Sequence, residues 1–149
     1  MDESIVNSIR DSITEALPVI PKKLLGVNQI VREQKMPLSH VHILLMLRNA
    51  PLSIGELSHC LAIAKPNITP LVDELSNAGY VERVRDEKDR RVVRVNLTEA
   101  GRMKIAFIES TVTSNIESWG KYLTRSQLKE LNRSLGSLVR LMSLIPDDM

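Results

Sequence analysis

Val84-Arg85-Asp86-Glu87-Lys88-Asp89-Arg90-Arg91, continued by Val95-Asn96-Leu97-Thr98-Glu99-Ala100-Gly101, is the stretch that decides the fold. Val93, Val95 and Leu97 alternate with Arg94 and Asn96. A period of two puts the apolar side chains on one face of a β-strand and the polar ones on the other. Val81 to Arg85 supplies a second strand with a less regular alternation, and the polar run Asp86 to Asp89 joins the two as a turn. The expectation is a two-stranded β-hairpin with a charged tip. Thr98 then suits the N-cap of a helix. Gly101 falls inside that helix, where glycine costs about 1 kcal/mol against alanine and so points to close packing.

The hairpin also carries the charge. Between Val81 and Lys104 there are eight basic and five acidic residues, against twelve basic and thirteen acidic in the rest of the chain. The net charge of +2 is therefore concentrated in one short segment, the footprint of a contact with a polyanion. Asp89-Arg90-Arg91 is the most informative tripeptide. An arginine at a turn tip can enter a narrow minor groove, where the negative potential is strongest. A neighbouring aspartate can hold that guanidinium in one pose. The plainer reading of the same residues is a solvated basic hairpin whose surface ion pairs contribute little.

Working upstream, Ser39 suits the N-cap of a short apolar helix carrying Leu44 and Leu47, closed by Asn49-Ala50-Pro51. Ser53, with Glu56 three residues on, forms a capping box. The helix it starts runs from about Ile54 to Leu61 and is expected to bury Ile54, Leu57, Cys60 and Leu61. Ala62-Ile63-Ala64 is a tight connection. The next helix has Pro66 in its first turn, where the missing N–H does no harm. Ile68, Leu71, Val72 and Leu75 are its apolar stripe, and Asn77-Ala78-Gly79 ends it, with Gly79 suited to a left-handed C-cap.

Helix, short helix, tight turn, helix and basic hairpin is the order of a winged helix-turn-helix. A helix has the width of the DNA major groove, where base edges show distinguishable hydrogen-bond patterns. The first helix of the pair supports the second, and the hairpin reaches sideways to the backbone or minor groove. Near its amino end the second helix offers Lys65, for phosphate, and Asn67 and Thr69, for base edges or backbone oxygens. The candidate DNA-contacting set is Ser53, Lys65, Pro66, Asn67, Thr69, Pro70 and Asp73 on the helices, with Arg85, Lys88, Asp89, Arg90 and Arg91 on the hairpin.

The two ends of the chain read as helices with apolar stripes. Ile5, Ile9, Ile13 and Leu17 recur at helical spacing until Pro18 and Pro21 break or kink the helix. A second periodic stretch with Leu24, Val27 and Val31 ends before Pro37. After the hairpin, a helix carries Ile105, Ile108, Val112 and Ile116 as far as Trp119-Gly120. A last helix begins near Thr124 and sets Leu128, Leu131, Leu135, Leu138 and Met142 at alternating intervals of three and four, a coiled-coil-like seam. One small domain would struggle to cover these stripes. The expectation is a homodimer joined through Ile5, Ile9 and Ile13 and through Leu128, Leu131, Leu135, Leu138 and Met142. The chain divides into an amino-terminal dimerisation segment (1–37), a winged helix-turn-helix (38–101) and carboxy-terminal dimerisation helices (102–149), within one compact domain that is mainly α with a small β-hairpin wing.

Composition narrows the alternatives. Hydrophobic residues make up 43%, enough for a packed core. Aromatics are 3%, which argues against binding single strands by base stacking. Cys60 is the lone cysteine, so neither an internal disulfide nor a four-cysteine zinc site is available. Met1-Asp2-Glu3 lacks the layout of a secretion signal, and no apolar run approaches the ~18–20 residues that cross a bilayer. A cytoplasmic protein without membrane or cofactor partners is expected. Enzyme chemistry finds no footing: His40 and His42, two apart on a helix, do not share a face, and no glycine-rich phosphate loop is present. His59 and Cys60 diverge as helix neighbours, so no metal site is expected. Cys60, placed on an apolar stripe, reads as a small hydrophobe, with redox sensing as the alternative. A winged helix that binds proteins is the other alternative, since fold does not fix function.

The runs quoted at the outset resemble the wing of the MarR family of transcription factors, with its Asp-x-Arg element followed by a Leu-Thr-x-x-Gly helix start. Pro66-Asn67-Ile68-Thr69-Pro70-Leu71-Val72-Asp73-Glu74-Leu75 resembles the family's recognition helix, Gly79-Tyr80-Val81 its exit, and Leu57-Ser58-His59-Cys60-Leu61 the supporting helix. The resemblance covers about Leu38 to Lys104. It implies a two-fold dimer that binds pseudo-palindromic double-stranded DNA, usually as a repressor, with a small, often aromatic or phenolic, effector seated between the dimerisation helices and the DNA-binding region. By position, Arg91 becomes the minor-groove arginine and Asp89 its orienting acid. Ala64 departs from the serine common at the start of the recognition helix and removes its side-chain cap. Pro70 stands where many members carry a polar or basic residue.

Overall fold

The computed structural model describes residues 2–146. Asp2 caps the first helix, α1 (Glu3–Val19), its carboxylate accepting the Ser4 N–H at 2.9 Å. The prolines do not end this helix. Pro18 sits inside its last turn, and a single π-helical turn follows at Ile20–Leu24, closed by the Leu25 N–H on the Ile20 carbonyl at 3.2 Å. Pro21 has no N–H to give the preceding turn, which favours the wider loop. The break falls instead at Gly26, whose φ of 60° needs the left-handed region. Helix α2 (Val27–Gln34) starts there and stops at Lys35, also left-handed.

Helix α3 (Leu38–Met46) corrects the expected cap. Its N-cap is Pro37, whose carbonyl accepts the His40 and Val41 N–H groups, and Ser39 lies inside the first turn. Proline's fixed φ starts the helix one residue before the serine. A two-residue strand, β1 (Leu52–Ser53), leads into α4 (Ile54–Leu61), whose capping box is present in full: Ser53 Oγ accepts the Glu56 N–H and Glu56 accepts the Ser53 N–H. In α4 only Leu57 is fully buried; Ile54 and Leu61 are half-buried and Cys60 is exposed. The stripe runs through positions 54, 57 and 61, which leaves Cys60 on its flank. Ala62 turns the chain with a φ of 52°, and α5 (Lys65–Asn77) follows with Ala64 at its N-cap and no side-chain cap.

The sheet has three strands rather than two. β2 (Val81–Arg85) and β3 (Val93–Leu97) pair antiparallel in the expected hairpin, and β1 pairs with the far edge of β3, giving the order β1-β3-β2. Val81, Val95 and Leu97 point into the core, while the distal half of β2 is exposed. Thr98 then starts α6 (Glu99–Ser118), its Oγ1 donating to the Gly79 carbonyl at 2.6 Å and accepting the Gly101 N–H at 3.1 Å. Gly101 is buried, and a Cβ there would run into the carbonyl oxygen of Tyr80. This explains why glycine stands in mid-helix.

Two compact bodies divide the chain after Thr113. The first has one core: Val41, Ile43 and Leu44 of α3, Leu57 of α4, Ile68, Val72 and Leu75 of α5, Val81, Val95 and Leu97 of the sheet, and Ile105 and Ile108 of α6. Each such side chain contributes about 1.5–3 kcal/mol through burial. Thr111, buried on α6, bonds Glu33 and Gln34 of α2. The second body holds the end of α6, a 3-10 turn at Trp119–Lys121, and α7 (Arg125–Met142), begun by a Thr124–Gln127 capping box. Leu128, Leu131 and Leu135 are half-buried, and Leu138 and Met142 are exposed. In α1, Ile5, Ile9 and Ile13 are exposed as well.

Candidate nucleic-acid interface

Burial of Ile68, Val72 and Leu75 fixes which side of α5 faces out. Lys65, Pro66, Asn67, Thr69 and Pro70 are exposed. Lys65 runs back over Gly55, where a Cβ would lie 3.3 Å from its Cε and 3.4 Å from its Nζ, so its ammonium sits over the first turn of α4. The α5 N-terminus has no side-chain cap; Pro66 brings no N–H and the Asn67 N–H bonds the Ala64 carbonyl at 2.8 Å, so what it offers an anion is the positive end of the helix dipole. Pro70 has no N–H to bond the Pro66 carbonyl, and Thr69 Oγ1 bonds the Lys65 carbonyl at 3.2 Å.

Asp73 belongs to a different arrangement. Its Oδ1 lies 2.7 Å from Nη2 of Arg83, so it ties α5 to β2 and offsets the wing's charge. One residue on, Glu74 approaches α3: His40, buried to 7% exposure, holds Nε2 3.0 Å from Glu74 Oε2 without a hydrogen bond between them. A cavity of about 280 Å³ opens here, walled by Met36, His40, Leu75 and Tyr80. Lys104 lies 5.5 Å above the Tyr80 ring and donates to the Gln34 carbonyl.

The wing sorts its arginines into two groups. Arg85, Lys88, Arg90 and Arg91 are exposed and make no ion pair among the described residues. Arg83 and Arg94 are paired. Asp89 accepts the main-chain N–H of Arg91 at 3.0 Å; it shapes the turn that presents Arg91 rather than gripping the guanidinium. Within the turn it is Asp86 that grips a guanidinium, through Arg94 Nε. This hydrogen bond, with the N–H groups of Asp89 and Lys88, holds the Asp86 carboxyl down to about 2. Glu56 is lowered by the Ser53 N–H in the first place and by Arg94 to a lesser extent. From the sequence, Glu56 has a role only as the capping-box partner of Ser53, and Asp86 and Arg94 have none at the interface. Asp86 stands eight residues before Arg94 and Glu56 thirty-eight, and no local spacing rule reports such pairs.

Ser53, Lys65 and the α5 face thus form one surface, and Arg85, Lys88, Arg90 and Arg91 form the wing surface. Among the described residues, no group of three His, Cys, Asp or Glu side chains is placed to hold a metal ion, and no helix is long and apolar enough to cross a membrane.

A supporting helix, a capless outward-facing second helix and a basic three-stranded wing define a winged helix-turn-helix. The MarR family model matches residues 34–92. An uncharacterized HTH-type transcriptional regulator of Bacillus subtilis, YfiV, is 30% identical over 105 residues, 66% of this chain and 66% of that one. RV1404 from Mycobacterium tuberculosis superposes with a TM-score of 0.80 at 19% identity, over 100% of both chains. FabT from Streptococcus pneumoniae, solved in complex with DNA, gives 0.66 at 21% identity over 90% of this chain and 97% of that one. Over the stretch that the family model matches, the winged helix-turn-helix is similar to that of the MarR family. The chain spans about half the length of the first curated relatives it matches.

Proposed function

We propose that the chain is a cytoplasmic, homodimeric transcriptional regulator that binds a pseudo-palindromic site in double-stranded DNA, most simply as a repressor released by a small aromatic effector. One observation carries the reading: the cations left without an acid partner among the described residues of the wing, Arg85, Lys88, Arg90 and Arg91, stand on the unit whose second helix exposes Lys65, Asn67 and Thr69. Lys65 and the α5 N-terminus meet phosphate. Asn67 and Thr69 meet base edges, and Arg91 enters the minor groove. The segments 1–37 and 102–149 supply the dimer contacts through Ile5, Ile9 and Ile13 and the α7 seam; residues 147–149 lie outside the described part. The cavity beside His40 and Tyr80 lies next to the end of the amino-terminal segment and is the place for the effector.

The test is a titration of double-stranded DNA over a salt series. Affinity should fall steeply as salt rises, and Arg91→Ala should weaken binding by about 1–3 kcal/mol. Salt-insensitive binding to a protein, with no affinity for any duplex in dilute buffer, would favour a winged-helix protein-interaction module instead. Exposed Cys60 keeps a redox input open as the second reading. Oxidation that changes DNA affinity in the native chain but not in Cys60→Ser would support it.

A further inference from the structure

Arg94 is the second residue of the middle strand, opposite Val84 of β2 on one side and Ser53 of β1 on the other. β3 is therefore bonded both to the wing and to the strand that leads into α4. The Arg94 guanidinium spans the same junction. Its Nε donates to Asp86 Oδ2, and its Nη1 donates to Glu56 Oε2 at 3.0 Å. Both carboxylates also accept main-chain N–H groups. Glu56 Oε2 takes the Ser53 N–H at 2.7 Å. Asp86 Oδ1 takes the N–H groups of Lys88 at 2.8 Å and Asp89 at 3.1 Å. Asp89 in turn takes the N–H of Arg91. A continuous series of charge-assisted bonds thus runs from the first turn of α4 to the backbone that bears Arg91.

We propose that Arg94 is a positioning residue for the DNA interface: by bridging Glu56 and Asp86 it fixes the wing tip against the helix-turn-helix and sets where Arg90 and Arg91 stand relative to α5. The proposal rests on the DNA-binding reading given above. Its chemistry is specific to arginine, because two carboxylates on different elements need two donors in a rigid fork, which a lysine ammonium does not provide. With two acids against it, Arg94 is a poor attractor of phosphate. Half-buried at the sheet, it serves the turn instead. The low Asp86 titration means the carboxylate stays ionised throughout the neutral range.

Electrostatics and positioning give opposite signs, and this makes the test sharp. Asp86→Asn and Glu56→Gln each remove a negative charge from a DNA-facing surface, so charge alone would tighten binding. Asn keeps an oxygen for the Lys88 and Asp89 N–H groups, and Gln keeps the capping box, so both variants should fold; thermal melts verify this. Binding is read by fluorescence anisotropy on a labelled duplex selected from a random pool. Both variants should bind about tenfold more weakly. Arg94→Lys should do no better than Arg94→Ala, and Arg91→Ala should cost much less in the Asp86→Asn background than in the native chain. Binding by Asp86→Asn or Glu56→Gln that equals or exceeds the native chain's, or an Arg91→Ala loss identical in both backgrounds, overturns the proposal while native DNA binding stands. A native chain that binds no duplex overturns the DNA-binding reading and this proposal with it.

Discussion

The winged body and the terminal helices dispose of their apolar side chains in opposite ways. From Val41 to Ile108 the large aliphatic residues close on one another, with Ile43, Leu44, Leu57, Ile68, Val72 and Val95 wholly buried, and the outward surface of α5 and the wing is left to charge. Neither α1 nor α7 has a single buried residue; Ile5, Ile9 and Ile13 stay more than half exposed at 55%, 55% and 54%. Apolar side chains arranged at helical spacing yet left in water are unusual on a monomer surface. The first arrangement stabilises a fold. The second is what the proposed dimer would cover.

Two substitutions break or sharpen this contrast. Leu57→Ala removes the one wholly buried residue of α4 and should destabilise the chain by about 2–5 kcal/mol, read as a lowered midpoint in denaturant. A loss within ~0.5 kcal/mol, the size of a surface change, would mean that the core is not where the burial places it. Ile9→Glu should leave the unfolding of an isolated protomer nearly unchanged and act on association, shifting sedimentation at micromolar concentration from dimer to monomer. An unchanged dimer would remove α1 from the interface.

The hairpin was legible to the residue because its signal is local. A period of two, Gly79 before it and Thr98 after it give both strands their ends. Gly101 was legible for a similar reason: glycine in mid-helix is costly, and the Tyr80 carbonyl is the cause. β1 was not legible, since two residues carry no period and its partner lies more than forty residues on, at Val95. Cys60 was misplaced by counting it into the apolar stripe of α4: the stripe runs 54-57-61 and leaves position 60 exposed on its flank. Ser39 was misread as a cap because Pro37 starts the helix first. On the interface, the free cations could be listed from composition, but which arginines were already taken could not. Arg83 with Asp73, and Arg94 with Asp86 and Glu56, meet only when the sheet closes on α4 and α5.

Selection of bound sequences from random double-stranded DNA, with the full chain at a concentration where it is dimeric, tests the paired presentation of α5 and wing most directly. Two-fold related copies should enrich an inverted repeat whose half-sites lie about one helical turn apart, ~34–36 Å centre to centre, with narrow, A·T-rich steps under the wings. Enrichment of a single unrepeated half-site, or of nothing above the starting pool, would contradict it.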